Sequence, residues 1–458
     1  MQNNSEFLQQ LKTLYNEKYL FLDPADCWSY GYDNSRRHQP PIAVVFPTTH
    51  QQIVDTIQLC NTHLIALTAR GSGTGTTGAS VPSMNAIILS TEHMDKIIKI
   101  DPDNRTIVVE PGVTNQAVQQ AAAEHGFFWP PDPTSSAICT VGGNLAYNSA
   151  GPRAVKYGTP RENTLSLTCI TGSGETLKAG AYTTKSVVGY DLTRLIIGSE
   201  GTLAIISQAT LKLTPLAEAK CTMQATYSSV EAAATAVSKI MAQPITPCAL
   251  EFMDATAISL VNKDSQLNLP DNAQALLMIE VDGDKFGLEK TAEKIAASAS
   301  VPGIIDIHTA NTDEQIKKLW KARKALSPSL RKIAPKKINE DVVVPVSEIP
   351  ALINGLEKLS KQYEIPIVNF GHAGNGNIHV NLLVQADQLD SAKRCLSDVF
   401  SLVIKLNGSL SGEHGIGLEK RDYITLELSP TSISLMKNIK AQFDPNNLLN
   451  PDKVFPIT

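Results

Sequence analysis

The stretch "NFGHAGNGNIHVNLLV", residues 369–384, holds two histidines and several amides in a glycine-rich frame. His379 and Asn381 lie two apart in an alternating run, so a strand presents both on one face, with Ile378, Val380 and Leu382 on the other. His372 precedes them in a glycine turn that is free to fold back to the same place. A second stretch, "SLSGEHGIGLEK", sets Glu413 and His414 between glycines, so three of the nine histidines fall in these two segments beside a carboxylate. Two imidazoles and a carboxylate with open positions suit Zn²⁺, Mn²⁺ or Fe²⁺. The same groups also suit an acid/base pair or a metal-free hydrogen-bond cluster. Arg323, in "LWKARKALSPSL", sits in an amphipathic helical pattern, where spacing alone favours a solvated face over a bidentate clamp for a carboxylate.

A third region is "TARGSGTGTTGASVP", residues 68–82, in which Gly73, Gly75 and Gly78 keep the spacing of the dinucleotide fingerprint. The loop does come after a strand, "LIALTA", which is itself preceded by a capped amphipathic helix in "PTTHQQIVDTIQLCNTH" with apolar positions at Ile53, Val54, Ile57 and Cys60. Beyond the loop, however, "ASVPSMNAIILST" has a proline, no helical period and a direct run into another strand. Without a helix there is no N-terminal dipole to hold a pyrophosphate in the Rossmann manner, and no Lys-Ser/Thr stands after the last glycine as a Walker A loop requires. There remains a loop whose peptide N–H groups and hydroxyls can approach an anion closely. Two further segments offer similar backbone: Pro133, Thr134, Ser135 and the pair Gly142–Gly143, and the turn at Gly201 that opens a β-branched strand.

The elements that must position these groups fall into two patterns. Up to about residue 216 short strands and glycine turns dominate; from about 220 strands alternate with amphipathic helices, an α+β or α/β module. The C-terminal "SLMKNIKAQFDPNNLLNPDKVF" reads as a helix stopped by "DPNN" and a tail that docks. The chain of 458 residues has a net charge of −5, which gives no basic field for nucleic acid. No apolar run is long enough to span a bilayer and no signal-peptide pattern opens the sequence, so the expected location is cytoplasmic, with peripheral association at an inner membrane allowed. Seven scattered cysteines form no C-x-x-C and read as small buried hydrophobes.

Taken in order, "ARGSGTG", "TVGGNLAYNSAG", "GSEGTL", "GHAGNGNIHVN" and "SGEHGIG" resemble the FAD-linked oxidases of the vanillyl-alcohol oxidase and p-cresol methylhydroxylase type. The resemblance runs from "YGYDNS" near residue 30 to "NPDKVF", and is strongest to the D-2-hydroxyacid dehydrogenase branch, which includes D-lactate and D-2-hydroxyglutarate dehydrogenases and the glycolate oxidase flavin subunit. It implies an α+β fold: a two-subdomain FAD-binding domain over 1–216, an antiparallel-sheet α+β cap over 217–410, and a C-terminal segment, 411–458, returning to the FAD domain. It implies that Arg70, Gly71, Ser72, Gly73, Thr74 and Gly75, with Pro133, Thr134, Ser135, Gly142 and Gly143, line FAD, and that Gly201 and Asn450 lie near the flavin ring. Thr74 stands where some relatives attach flavin through histidine, so noncovalent FAD is expected.

The resemblance further implies a divalent metal, Zn or Mn, on His372, His379 and Glu413, Asn381 as a substrate or supporting contact, His414 as general base, and Arg323 as the carboxylate-binding arginine, with Lys336 or Lys337 as a loosely matched additional cation. Asn375 departs from the aspartate common in "GHAGDGN". The implied reaction is oxidation of a small D-2-hydroxy acid, with D-lactate placed first, by hydride transfer to flavin N5 and onward transfer to an external acceptor: a quinone, a cytochrome or an electron-transfer flavoprotein. A homodimer is also expected. The rival readings are an alkyl transferase on the same fold, a flavin subunit active only in a complex, and a metal hydrolase.

Overall fold

The computed structural model describes residues 2–265, 269–310, 312–330, 334 and 336–457. Its contacts divide the chain into two compact units: Met1–Ala150, Gly158–Leu216 and Glu413–Thr458 form the first, and Gly151–Tyr157 with Ala217–Gly412 form the second.

In the first unit the helix His50–His63 begins with a shared cap. The Thr49 hydroxyl accepts from Gln52 N at 3.2 Å, while the Gln52 side-chain oxygen accepts from Thr48 N at 2.8 Å. The expected face, Ile53, Val54, Ile57 and Cys60, is buried against Phe7, Leu11, Leu67, Ile87 and Leu89. The strand Leu67–Arg70 then pairs in parallel with Ile87–Ser90. Parallel strands are usually joined by a helix. Here residues 71–86 cross over with no helix at all, so the fingerprint glycines lack the dipole of a dinucleotide fold, as the sequence argues.

Among the described residues this unit has a four-stranded sheet, ordered Leu20–Phe21, Val44–Val45, Ile87–Ser90, Leu67–Arg70, and a five-stranded antiparallel sheet, ordered Ile97–Asp101, Thr106–Val109, Ala204–Lys212, Thr164–Thr171, Thr176–Gly180. Each sheet has its own core. That of the second surrounds the fully buried Trp129, whose indole N–H donates to Asn163 O at 3.0 Å.

The C-terminal tail docks as expected. The helix Pro430–Phe443 ends at Asp444, a buried carboxylate that pairs with Lys440 and accepts from Leu448 N at 3.0 Å and Leu449 N at 2.7 Å. The chain then runs along Leu67: Leu67 N donates to Leu448 O at 2.8 Å and Asn450 N donates to Leu67 O at 2.7 Å.

The second unit is built on a seven-stranded sheet, counted among the described residues, in the order Ile304–Ala310, Ala219–Tyr227, Ala275–Gly283, Ala249–Asp254, Ile367–His372, Asn377–Val384, Lys336–Val343. Every neighbouring pair is antiparallel, so the alternation of strands and helices has produced an α+β sheet and not a parallel one. The amphipathic runs form the helices Val230–Ala242, Leu288–Ala299, Asp313–Leu330, Ile349–Tyr363 and Leu389–Lys405. All seven cysteines are unpaired and six are buried. Among the described residues no helix is long and apolar enough to cross a membrane.

Replacing Asp444 by Ala strands two buried N–H donors and the Lys440 ammonium. It is expected to cost about 3 kcal/mol in urea unfolding; a loss below about 1 kcal/mol would show that the tail docks without it.

Candidate active site

Strand register gathers the polar groups of the second unit on one face of its sheet. His372 lies opposite Glu251 and Asn377, His379 opposite Phe370 and Asp341, and Asn381 opposite Val368 and Asn339. Directly opposed residues share a face. His372 is therefore not in a turn that folds back, as its flanking glycines suggest, but ends the strand Ile367–His372. The two imidazoles stand edge to face with centroids 5.2 Å apart, and both residues are buried. The same register places Lys337 on this face and Lys336 on the other.

The helix Asp313–Leu330 brings Arg323 to this face, buried and not solvated as its spacing alone suggests. Its guanidinium lies 4.8 Å from the centre of the Phe370 ring. The group that fixes it was not singled out from the sequence. Glu251, 1% exposed, accepts from Arg323 Nε at 2.7 Å, with Nη2 also 2.7 Å from the same oxygen, Oε2. Its other oxygen, Oε1, is 2.5 Å from His372 Nδ1. Burial pushes the Glu251 carboxyl up, but the charges and hydrogen bonds of His372 and Arg323 outweigh this and hold it below its ordinary value. The signal was available in "CALEFMD": a carboxylate in the middle of an apolar strand needs buried partners.

Asn381 is fully buried; its Nδ2 donates to Val368 O and His379 O, both at 3.1 Å, and its Oδ1 has no hydrogen-bond partner among the described residues. Asp341 accepts from Ser411 Oγ at 3.0 Å and Gly412 N at 2.9 Å, which fixes the chain one residue before Glu413. The paired imidazoles of His372 and His379 are donors of the kind that Zn²⁺ and Mn²⁺ take.

The first unit gathers the glycine segments. Ser72 Oγ donates to Ile138 O at 2.7 Å, tying the loop to the turn that begins at Pro133, where Ser136 N donates to Pro133 O and Cys139 N to Ser135 O. A β-carbon on Gly71 would meet the Thr140 hydroxyl at 2.3 Å, and one on Gly75 the Tyr147 hydroxyl at 2.4 Å. Thr140 caps the helix Val141–Tyr147, so Gly142 and Gly143 form its first turn. Thr134 and Ser72 are exposed, whereas Arg70 turns inward, donating to Tyr32 O at 2.7 Å. The carbonyls of Thr74 and Gly75 accept from Asn34.

Gly201 has φ of +71° and only the Ala69 β-carbon, 4.0 Å away, near where its own would stand. Asn450 is a fastener: Nδ2 donates to Ala79 O and Glu200 O, each at 2.8 Å, and Oδ1 accepts from Thr68 Oγ1 at 3.1 Å. Glu200, also missed in the sequence, accepts from Ile416 N at 2.6 Å and Gly417 N at 2.8 Å. Thr77 Oγ1 donates to His414 O at 3.1 Å, so the loop carrying His414 is held to the Gly201 turn and the glycine loop alike.

Sequence comparison makes the chain an FAD-dependent oxidoreductase. Two family signatures match, "FAD binding domain" over residues 41–180 and "FAD linked oxidases, C-terminal domain" over residues 216–454, and the chain belongs to the FAD-linked oxidase family. It is similar to the glycolate oxidase subunit GlcD of Bacillus subtilis, 37% identical with 93% of this chain and 92% of the relative covered. It is similar to the D-lactate dehydrogenase of Archaeoglobus fulgidus, 36% identical with 90% of each covered, and to the D-2-hydroxyglutarate dehydrogenase of Stutzerimonas stutzeri, 30% identical with 98% of each covered. A substrate-bound structure of p-cresol methylhydroxylase, 16% identical, superposes with a TM-score of 0.80 over 98% of this chain and 96% of that one, and shows the shared fold.

Burial raises the Glu200 carboxyl from 4.5 to about 7, against the pull of the Ile416 and Gly417 N–H groups and of Lys420 and Lys453. Between those values the folded protein keeps a proton that the unfolded chain has lost, so this group's contribution to stability falls as pH rises through the window. A Glu200→Gln variant is expected to have a flatter profile of unfolding free energy from about pH 5 to 7. An unchanged slope would contradict the assignment.

Proposed function

We propose that this protein oxidises a small D-2-hydroxy acid, D-lactate first among the candidates, to the 2-oxo acid, with noncovalent FAD and a divalent cation, and passes the electrons to an external acceptor. The observation that carries this reading is the joint attachment of Arg323 and His372 to the one Glu251 carboxylate, which supports a carboxylate anchor beside a cation ligand. The names of the relatives, a glycolate oxidase subunit, a D-lactate dehydrogenase and a D-2-hydroxyglutarate dehydrogenase, share the 2-hydroxy acid unit that these two groups would bind.

Residues 70–75, 133–135, 142–143 and 201 would hold FAD, the backbone N–H groups of the glycine loop taking its phosphates and the open surface of Gly201 its ring. His372, His379 and Glu413 would hold Zn²⁺ or Mn²⁺. When bound, flavin supplies the two-electron acceptor, taking hydride at N5, and the cation lowers the pKa of the substrate hydroxyl. Arg323 binds the substrate carboxylate with the guanidinium edge that Glu251 leaves uncovered, and Lys337 adds positive charge on the same sheet face. Asn381 supports His379 through the backbone of its strand. His414 takes the hydroxyl proton onto its ring as C2 gives up its hydrogen. The Glu200 and Thr77 bonds to residues 414–417 restrict where that ring can go. Quinone, cytochrome or electron-transfer flavoprotein are the acceptor classes, since the sequence has no haem-attachment C-x-x-C-H or cysteine cluster.

An anaerobic visible spectrum with D-lactate, L-lactate, glycolate and D-2-hydroxyglutarate in turn tests the reading. The flavin band near about 450 nm is expected to bleach with a D-acid, to resist L-lactate, and to bleach far more slowly after chelation. A flavin band that none of the acids reduces would overturn the dehydrogenase and favour the alkyl transferase or the subunit of a larger complex. His414→Ala is expected to slow flavin reduction by roughly 10²- to 10⁴-fold; an unchanged rate sinks the base assignment.

A further inference from the structure

Glu251 has two oxygens and gives one to each partner: Oε2 to the Arg323 guanidinium and Oε1 to His372 Nδ1. Arginine has five N–H donors and no acceptor, so Oε2 is committed as an acceptor. An ionised carboxylate offers only acceptors, so the partner nitrogen of the imidazole must carry the hydrogen. The 2.5 Å contact therefore keeps a hydrogen on Nδ1, so a cation that takes this ring must take it through Nε2.

We infer that Glu251 is a positioning residue that selects the His372 tautomer able to ligate a cation through Nε2, and that it makes this selection because its other oxygen is pinned by Arg323. The inference deepens the proposed function and rests on its cation site. The two anchors proposed for the substrate, an arginine for its carboxylate and a cation for its hydroxyl, would then not be independent. The group that orients one sets the protonation of the other.

The pinning makes one substitution diagnostic. Glu251→Gln has nearly the same shape, but its side chain carries one acceptor and one donor group. Arg323 can only donate, so the amide oxygen must turn to Arg323 and the NH₂ must turn to His372 Nδ1. That nitrogen then has to accept, the neutral ring moves its hydrogen to Nε2, and the ligating lone pair is lost. A carboxylate that merely filled space or supported the strand would be replaced by glutamine with no effect on the ring's tautomer.

The test uses the FAD-loaded full-length protein and two readouts other than turnover. The first is Zn²⁺ affinity by competition with a chelating dye; the second is the ¹⁵N spectrum of histidine-labelled protein, with His372 assigned by its loss in His372→Gln. Glu251→Gln is expected to weaken Zn²⁺ binding roughly 10- to 100-fold and to show the Nε2–H tautomer, while its flavin spectrum stays close to wild type. Glu251→Asp, which keeps two acceptors, is expected to retain the hydrogen on Nδ1. Zn²⁺ affinity of the Gln variant within about threefold of wild type, or an unmoved tautomer, overturns the inference. Should the Gln variant not fold, the wild-type spectrum still decides, because a neutral Nε2–H ring there contradicts it. A wild-type protein that binds no Zn²⁺ or Mn²⁺ defeats the cation site itself, while the tautomer measurement continues to report on Glu251.

Discussion

A carboxylate with almost no solvent must be surrounded by donors, and in the second unit that requirement organises everything around Glu251. Its desolvation opposes the charged form; the arginine and the imidazole that it attracts more than restore it. Removing either partner would leave a buried charge incompletely paired, which is the costly case, so the two side chains proposed to recognise a hydroxy acid are held by a constraint that stability also enforces. The antiparallel register supplies the rest: once His372 is opposite Glu251, the period of two places Phe370, His379 and Asn381 on the same face without further adjustment.

The first unit solves a different problem. A parallel crossover without a helix leaves a long irregular segment whose backbone must be fastened by other means. The fasteners are few and polar: Asn450, with all three of its side-chain bonds made inside the unit, the Asn34 amides, and the Ser72 hydroxyl. The C-terminal tail is therefore structural as well as local to the loop, because Asn450 reaches both Ala79 and Glu200 only after the Asp444 turn has set the tail beside Leu67. Glycine serves close packing in the loop and openness at Gly201, two different uses of the missing side chain.

Much of this was legible in the residues. The capped helix at 50–63, the absence of a helix after the fingerprint glycines, the shared face of His379 and Asn381, and the docked tail all derive from short-range rules of capping, period and turn chemistry. The features that escaped depend on register between distant strands. Glu251 and His372 are 121 residues apart, and neither their pairing nor the burial of Arg323 is written in local spacing. Glu200 was hidden in the same way, a carboxylate in a glycine turn whose partners, the Ile416 and Gly417 amides, lie 216 and 217 residues further on. Which of Lys336 and Lys337 shares the face of Asn381 is a matter of parity, and the register of Lys336–Val343 puts Lys337 there.

The most direct test of the central claim is anomalous diffraction at the zinc edge from crystals of the FAD-loaded protein soaked in Zn²⁺. The account predicts one strong peak bonded to His372 through Nε2, to His379 and to Glu413, with His372 Nδ1 still on Glu251. A peak elsewhere, or a His372 ring turned away from Glu251 with zinc on Nδ1, would contradict it.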